Sequence, residues 1–247
     1  MKKMFQFFIT LFISLNLFSQ VNRNGYPLIE NYVIPGYYDG LQIWGAVQNQ
    51  YGLVYFAYNE GLLEFDGQDW RQIFIKEECI LRSLDIDHNG RLYIGGIGEF
   101  GYLEINEFGK EKYVSLSETL DPTLNYKEIW RTFCIDDDVY FCSFKMIFRY
   151  SNNEISIIQL PQYSFYAFNV NDIIYFGNYQ EGLFKIEKDS VWPCVGGDFY
   201  ANKDIFSMLP FKNNKLLIST HDGFFIYDIN SGNSERPISE SYREIKG

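Results

Sequence analysis

Short apolar runs recur along this chain at intervals typical of repeated β-sheet units. Apart from the first twenty residues, no segment of ten or more residues has helical periodicity, and apolar and polar positions alternate as in half-buried strands. One strand pattern occurs five times and ends in a small residue each time, which would let neighbouring strands approach closely. The copies are LVYFA at 53–57, RLYIG at 91–95, DVYFC at 138–142, IIYFG at 173–177 and KLLIS at 215–219.

Each copy is the second strand in a group of four. A strand such as QIWGAVQN precedes it, one such as GLLEFD follows it, and a more variable fourth ends the group. We expect glycine in the turn before the third strand. The glycines at this place are Gly61, Gly101, Gly182 and Gly223, and Lys145 replaces the glycine in the third group.

Four short strands in a unit of about 40 residues predict the blades of a β-propeller, with a tandem solenoid as the alternative. The fold class is therefore all-β. The blades are expected near residues 41–78, 79–120, 127–162, 163–200 and 203–238. The final run SESYREIKG reads as the beginning of a further strand. The five blades either close into a ring or belong to a truncated propeller, and we favour truncation.

The first twenty residues have a different composition. Lys2 and Lys3 precede an apolar run from Met4 to Phe18. This run is shorter than the ~20 residues that cross a bilayer. Together with the small residue Ser19 it predicts a signal peptide over residues 1–19, cleaved near Ser19-Gln20. An uncleaved anchor is the alternative. Residues 20–247 would then be periplasmic or extracellular.

The charge and the cysteines narrow the possible partners. A formal charge of −11 disfavours nucleic acid and anionic lipid as partners of this region. The spacing of four cysteines and two histidines matches no metal site, so no metal and no cofactor is predicted. Cys134 and Cys142 flank a predicted tight turn and would form a disulfide if they faced each other across the hairpin. Burial as core cysteines is the commoner outcome.

Two sets of residues are candidates for ligand binding. In a propeller the first strand of each blade lines the central channel. The equivalent first-strand positions hold Trp44, Arg82, Trp130, Tyr166 and Phe206. Such a ring would stack on a sugar or another ligand with an apolar face. Packing between blades is the alternative role for these side chains.

The second set lies in the loops between the second and third strands. It comprises Asn59, Glu60, Glu99, Phe100, Asn178, Tyr179, His221 and Asp222. We add Glu99 and Asp222 from this set to the candidate binding residues. The alternative is that these loops are ordinary solvated turns. No catalytic motif is present, and carboxylates such as Glu60, Glu99 and Glu181 occupy repeat-equivalent turns. We therefore predict no catalytic residue.

The runs GLQIWGAVQNQYGLVYFAYNEGLLEFDGQDW at 40–70 and GRLYIGGIGEFGYLEI at 90–105 resemble the two-component-regulator propeller repeats. More narrowly, the chain resembles the N-terminal sensor region of bacterial regulators that carry a triple-tyrosine module. The resemblance implies a propeller that is usually seven-bladed and lies in the periplasm. A membrane-spanning helix and a histidine kinase or LuxR-type helix-turn-helix output would follow in a longer parent chain.

These observations favour an extracytoplasmic sensory propeller that binds a carbohydrate or another small molecule. Membrane attachment would come only through the longer parent, and a homodimer is a possible assembly. Two alternatives stay open. One is a secreted propeller enzyme acting on polysaccharide, and the other is a scaffold without a small-molecule site.

Overall fold

The computed structural model describes residues 30–34 and 42–237, except 78, 106, 108, 109, 162, 165 and 188. The chain divides into two compact units, residues 1–36 and 37–247, and every strand described lies in the second unit. The predicted signal peptide at 1–19 and the final run at 239–247 lie outside the described residues.

The described residues form five antiparallel sheets of four strands each. The first contains β1 (Ile43–Gln48), β2 (Val54–Tyr58), β3 (Gly61–Phe65) and β4 (Trp70–Ile73). The second contains β5 (Leu81–Ile86), β6 (Leu92–Gly96), β7 (Phe100–Ile105) and β8 (Glu111–Ser115). The third contains β9 (Arg131–Ile135), β10 (Asp138–Cys142), β11 (Met146–Ser151) and β12 (Glu154–Gln159).

The fourth sheet contains β13 (Ala167–Val170), β14 (Ile173–Asn178), β15 (Gly182–Glu187) and β16 (Ser190–Pro193). The fifth contains β17 (Ile205–Phe211), β18 (Lys215–Thr220), β19 (Gly223–Asp228) and β20 (Ser234–Glu235). Two short 3-10 helices, Ser117–Thr119 and Gly197–Tyr200, follow β8 and β16.

The strands of each sheet pair in chain order, so each sheet is a meander. The first strands of the sheets contact one another in the order β1, β5, β9, β13, β17. They are therefore the inner strands, and the five sheets are arranged side by side as blades 1 to 5 around them. This arrangement is the all-β propeller that the repeat predicts.

The hydrophobic core is divided among the four junctions between successive blades. The aligned tyrosines Tyr55, Tyr93 and Tyr175 are buried in these junctions. The small residues have the predicted role. A Cβ atom on Gly95 would lie 2.4 Å from Cγ2 of Ile129 in the next blade, so only glycine allows this approach.

The predicted turn glycines are correct in three blades and wrong in one. Gly61, Gly182 and Gly223 have φ angles of 126°, 100° and 113°, which favour glycine. Gly101 lies inside strand β7. A Cβ atom there would lie 2.1 Å from the carbonyl oxygen of Val114, so close approach of β8 requires the glycine.

The four cysteines are free thiols, so no disulfide joins Cys134 and Cys142. In the hairpin, Cys134 pairs with Val139 and Cys142 pairs with Arg131. The two cysteines are therefore not opposite each other. Cys142 is buried at the junction between blades 3 and 4, and Cys134 packs at the junction between blades 2 and 3.

Candidate functional site

Both sets of candidate residues lie at the same edge of the blades. In each sheet the beginning of the first strand pairs with the end of the second, as in Ile43 with Tyr58 and Ile205 with Thr220. The turn into the third strand and the connection from the preceding blade therefore meet at this edge. We call it the mouth edge.

Three of the predicted residues form one cluster at the mouth edge. Trp44 is the second residue of β1, Arg82 is the second residue of β5, and Trp130 directly precedes β9. The guanidinium carbon of Arg82 lies 3.9 Å from the ring centre of Trp44 and 4.9 Å from that of Trp130. The two indoles meet edge to face, with centres 5.6 Å apart. We call these three residues the mouth cluster, in which the cation lies against both aromatic rings.

The hydrogen bonds of the mouth cluster leave two donors unused. Arg82 Nε donates to Glu128 Oε2 at 3.1 Å, and Trp44 Nε1 donates to Asn59 Oδ1 at 2.8 Å. Arg82 Nη1 and Trp130 Nε1 are buried and have no acceptor among the described residues. Because an unpaired buried donor costs roughly 1–3 kcal/mol, this arrangement favours a bound acceptor such as a hydroxyl, carbonyl or carboxylate oxygen.

The other two ring positions lie in a separate groove. Tyr166, before β13, and Phe206, in β17, line a cavity of about 240 Å³ together with Tyr179, Lys203 and Asp204. We call it the blade 4–5 groove. Phe206 is 54% exposed, so one aromatic face is open to a ligand. The predicted ring is thus divided into a packed cluster and an open groove.

Asp222 lies in the turn between β18 and β19 and is half-exposed. Its Oδ1 lies 3.3 Å from Nε2 of His221. The backbone N–H of Asp204, which lines the blade 4–5 groove, donates to Nδ1 of the same imidazole at 3.2 Å. His221 therefore connects Asp222 to the wall of the groove.

Glu99 is not grouped with the other candidates. It is 2% exposed, and both carboxylate oxygens accept hydrogen bonds. The donors are Ser115 Oγ at 2.6 Å, Ser117 Oγ at 2.7 Å, Phe100 N at 3.0 Å, Tyr113 OH at 3.1 Å and Lys76 Nζ at 3.0 Å. Burial opposes ionisation, but the hydrogen bonds from Ser115, Ser117 and Lys76 outweigh it and lower the pKa of Glu99. The carboxylate is therefore an internal hydrogen-bond acceptor joining blades 1 and 2.

Several residues at the mouth edge were not predicted from the sequence. Glu128 pairs with Arg82, and Lys145 packs its Nζ 4.6 Å from the ring centre of Tyr163. The sequence signal for Lys145 was its replacement of the turn glycine in the third repeat. Glu128 and Tyr163 lie in connections between blades, where the repeats cannot be aligned and equivalent positions cannot be assigned.

No protein-family model matches the sequence, and no curated protein is significantly similar to it. Several solved structures are similar in fold. One is the extracellular domain of the one-component system BT4673 from B. thetaiotaomicron, with a TM-score of 0.59 and 17% identity over 78% of this chain and 27% of that one. The chain thus spans about a quarter of the length of that regulator domain.

Two other similar structures have different roles. Virginiamycin B lyase from Staphylococcus aureus gives a TM-score of 0.56 with 13% identity over 78% of this chain and 68% of the lyase. The WD40 propeller domain of Doa1 gives a TM-score of 0.58 with 13% identity over 81% of this chain and 72% of that domain's chain. The fold is a β-propeller. The likeness to the regulator's extracellular domain agrees with the propeller fold that the sequence resemblance implies. Within the described residues, no helix is long and apolar enough to span a membrane.

Proposed function

We propose that this chain is the ligand-binding propeller of a bacterial signal-transduction regulator and works outside the cytoplasm. The observation that carries the proposal is the mouth cluster, in which Arg82 Nη1 and Trp130 Nε1 are buried donors that no described residue accepts from. A ligand that presents an oxygen to these donors and a flat apolar face to the indoles would satisfy both features. A sugar or a small ring-containing metabolite has this chemistry.

The N-terminal run from Met4 to Phe18, preceded by two lysines, supports export by a signal peptide. The likeness in fold to the extracellular domain of a one-component system supports a sensory role. In this proposal, a histidine kinase or a DNA-binding output belongs to a longer parent chain.

We propose binding without catalysis for this region. Glu99, one of the loop carboxylates that a polysaccharide-cleaving enzyme could use, has its oxygens occupied by internal donors. No observation at the mouth edge favours the enzyme over the sensor.

The test is thermal unfolding of the full chain against a panel of oligosaccharides and small ring-containing metabolites. A ligand at ten times its Kd stabilises the protein by about 1.4 kcal/mol. In a domain of this size Tm then rises by roughly 3–6 °C. The variant Arg82→Gln should abolish the rise. Trp192→Ala, on the outer strand β16, is the matched control and should retain it.

An unchanged Tm for every panel member, with the protein folded, would contradict the sensory proposal and support the scaffold alternative. Turnover of a polysaccharide that disappears in Glu99→Gln, with folding retained, would instead support the enzyme.

A further inference from the structure

A second groove lies at the mouth edge between blades 3 and 4, apart from the mouth cluster. It encloses about 490 Å³, within the range of small-molecule sites. Blade 3 contributes Lys145, the end of β12 and residues that follow it, and blade 4 contributes the end of β14 and the turn after it. The lining residues are Lys145, Gln159, Leu160, Pro161, Tyr163, Asn178, Tyr179 and Gln180. We call it the blade 3–4 groove.

Asn178, in the wall of this groove, has an unused hydrogen-bond donor. The residue is 2% exposed, and its Oδ1 accepts from the backbone N–H groups of Gln180 at 2.8 Å and Glu181 at 3.1 Å. These two bonds fix the orientation of the amide, because a flipped amide would place its NH₂ against two donors. Its Nδ2 is buried, and no acceptor for it lies within the part of the chain that the structure describes.

The turn itself does not require an asparagine. In blade 5, the equivalent Thr220 accepts from the N–H of Asp222 and donates its hydroxyl to the carbonyl of Gly223, both at 3.1 Å. In blade 3, the hydroxyl of Ser143 accepts from the N–H of Met146 at 3.2 Å and donates to the carbonyl of the same residue at 2.7 Å. Both hydroxyls hold their turns with every polar atom paired. Asn178 therefore supplies a donor beyond what the turn needs.

Lys145 gives the groove a positive charge. Its Nζ lies 4.6 Å from the ring centre of Tyr163, and no carboxylate of the described residues lies within ion-pair distance of it. The lining contains no acidic residue, although the whole chain has a formal charge of −11. An anion is therefore attracted locally in a protein that repels anions overall.

Aromatic rings supply the apolar surface of the groove. Tyr163 is 54% exposed and Tyr179 is 50% exposed, and both line the cavity. A flat ring of the ligand can pack against such faces while its oxygens meet the amides of Gln159 and Gln180.

We propose that the blade 3–4 groove binds a carboxylate carried on a six-membered ring. The ring packs on the tyrosines, and the carboxylate is held by Lys145 Nζ and Asn178 Nδ2. Two sources share this chemistry, a sugar acid and an aromatic acid. The site is distinct from the mouth cluster, so its test does not depend on the proposed function.

The experiment titrates the full chain with matched small probes by ligand-observed NMR and isothermal calorimetry. Glucuronate and benzoate carry the carboxylate on a ring, glucose and benzyl alcohol are their neutral counterparts, and acetate has no ring. We expect at least one ring carboxylate to bind ten times more tightly than its neutral counterpart and than acetate. Binding of glucuronate alone identifies a sugar-acid site, and binding of benzoate alone an aromatic-acid site.

Three variants test the residues. Asn178→Thr restores the turn chemistry of blade 5 without the extra donor and should weaken binding about tenfold with folding intact. Lys145→Gln should remove the preference for the charged probe. Lys212→Gln makes the same charge change in the exposed turn between β17 and β18, at the opposite edge, and should bind as the native protein does.

The proposal is wrong if neither ring carboxylate binds, or if the neutral probes or acetate bind equally well. It is also wrong if both Asn178→Thr and Lys145→Gln leave the affinity unchanged. Arg82→Gln should leave the binding of ring carboxylates in this groove unchanged. The variant therefore separates a failure of this proposal from a failure of ligand binding at the mouth cluster.

Discussion

The junctions between blades 1 and 2 and between blades 3 and 4 both place a lysine at the mouth edge, with opposite consequences. Lys76 bonds to the buried Glu99 at 3.0 Å and to the exposed Glu118 at 3.4 Å. At the other junction Lys145 lies on a tyrosine ring, and the nearby Asn178 has a donor with no acceptor in the described part of the chain. A polar group with all its partners inside the protein stabilises a junction, whereas one left unpaired marks a place for a ligand.

The largest effect is expected at Glu99. Replacing it with glutamine removes the charge that receives five donors and leaves some of them without a good acceptor. We expect Glu99→Gln to lower the free energy of unfolding by about 2–3 kcal/mol, the scale of hydrogen bonds to a buried charged group. Urea denaturation measures the loss.

Glu118→Gln is the matched control, since it removes the exposed partner of the same lysine. It should cost less than about 1 kcal/mol. If Glu99→Gln cost no more than Glu118→Gln, the contrast between the two junctions would lose its basis.

The contribution of Glu99 should also depend on pH. Its pKa in the folded protein is lowered, so the unfolded chain takes up the proton first as pH falls. Its stabilisation is therefore fully present above the unfolded value of about 4.3 and declines as pH falls toward the lower folded pKa. Urea denaturation between pH 3 and pH 7 should show the native protein and Glu99→Gln converging at the acidic end. A difference in the free energy of unfolding between the two proteins that widens below pH 4 would contradict the lowered pKa of Glu99.

A smaller effect on stability is expected at the other junction. Asn178→Thr keeps an acceptor for the turn and removes the buried unpaired donor. We expect the free energy of unfolding to change by less than about 1 kcal/mol, because the two effects oppose each other. Thr220→Ala, which removes the equivalent turn bonds in blade 5, is the comparison and should cost about 1 kcal/mol. A loss of several kcal/mol in Asn178→Thr would mean that Asn178 is structural.

The smallest signal should come from the buried thiols. Cys79 packs at the junction between blades 1 and 2, and burial, with the charge of Glu99, raises the pKa of its thiol to about 11. Cys142 is buried at the junction between blades 3 and 4. Maleimide labelling followed by peptide mass spectrometry should find both slow in the native protein. In Glu99→Gln, Cys79 should react several-fold faster than Cys142. Equal acceleration would indicate global loosening.

The fold could be predicted from the sequence, because each repeat carries a small residue and a large apolar or aromatic residue at the same strand positions. The small residues at Gly95 and Gly177 and the buried tyrosines fix which strand face meets the next blade. The same reasoning placed Trp44, Arg82, Trp130, Tyr166 and Phe206 in one ring. The first three do meet, but Tyr166 and Phe206 lie in the separate blade 4–5 groove.

The polar partners could not be read from the repeat. Glu99 was predicted in an open loop, but Ser115 and Ser117, from β8 and the 3-10 helix that follows it, enclose its carboxylate. Lys145 meets Tyr163 through a connection of irregular length. These contacts depend on side-chain directions in segments that differ between blades, so only the structure shows which donors are paired.

The most direct test of the ligand-binding account is a two-dimensional ¹H–¹⁵N spectrum of the full chain, in which the four tryptophan indoles are the reporters. Titration with the panel of sugars and ring-containing metabolites should shift the Trp130 indole resonance, because its N–H finds no acceptor among residues 30–34 and 42–237 as far as these are described. Trp70 and Trp192, on the outermost strands, should stay unchanged. Shifts confined to Trp70 or Trp192, or no shift of any indole with any panel member, would contradict the account.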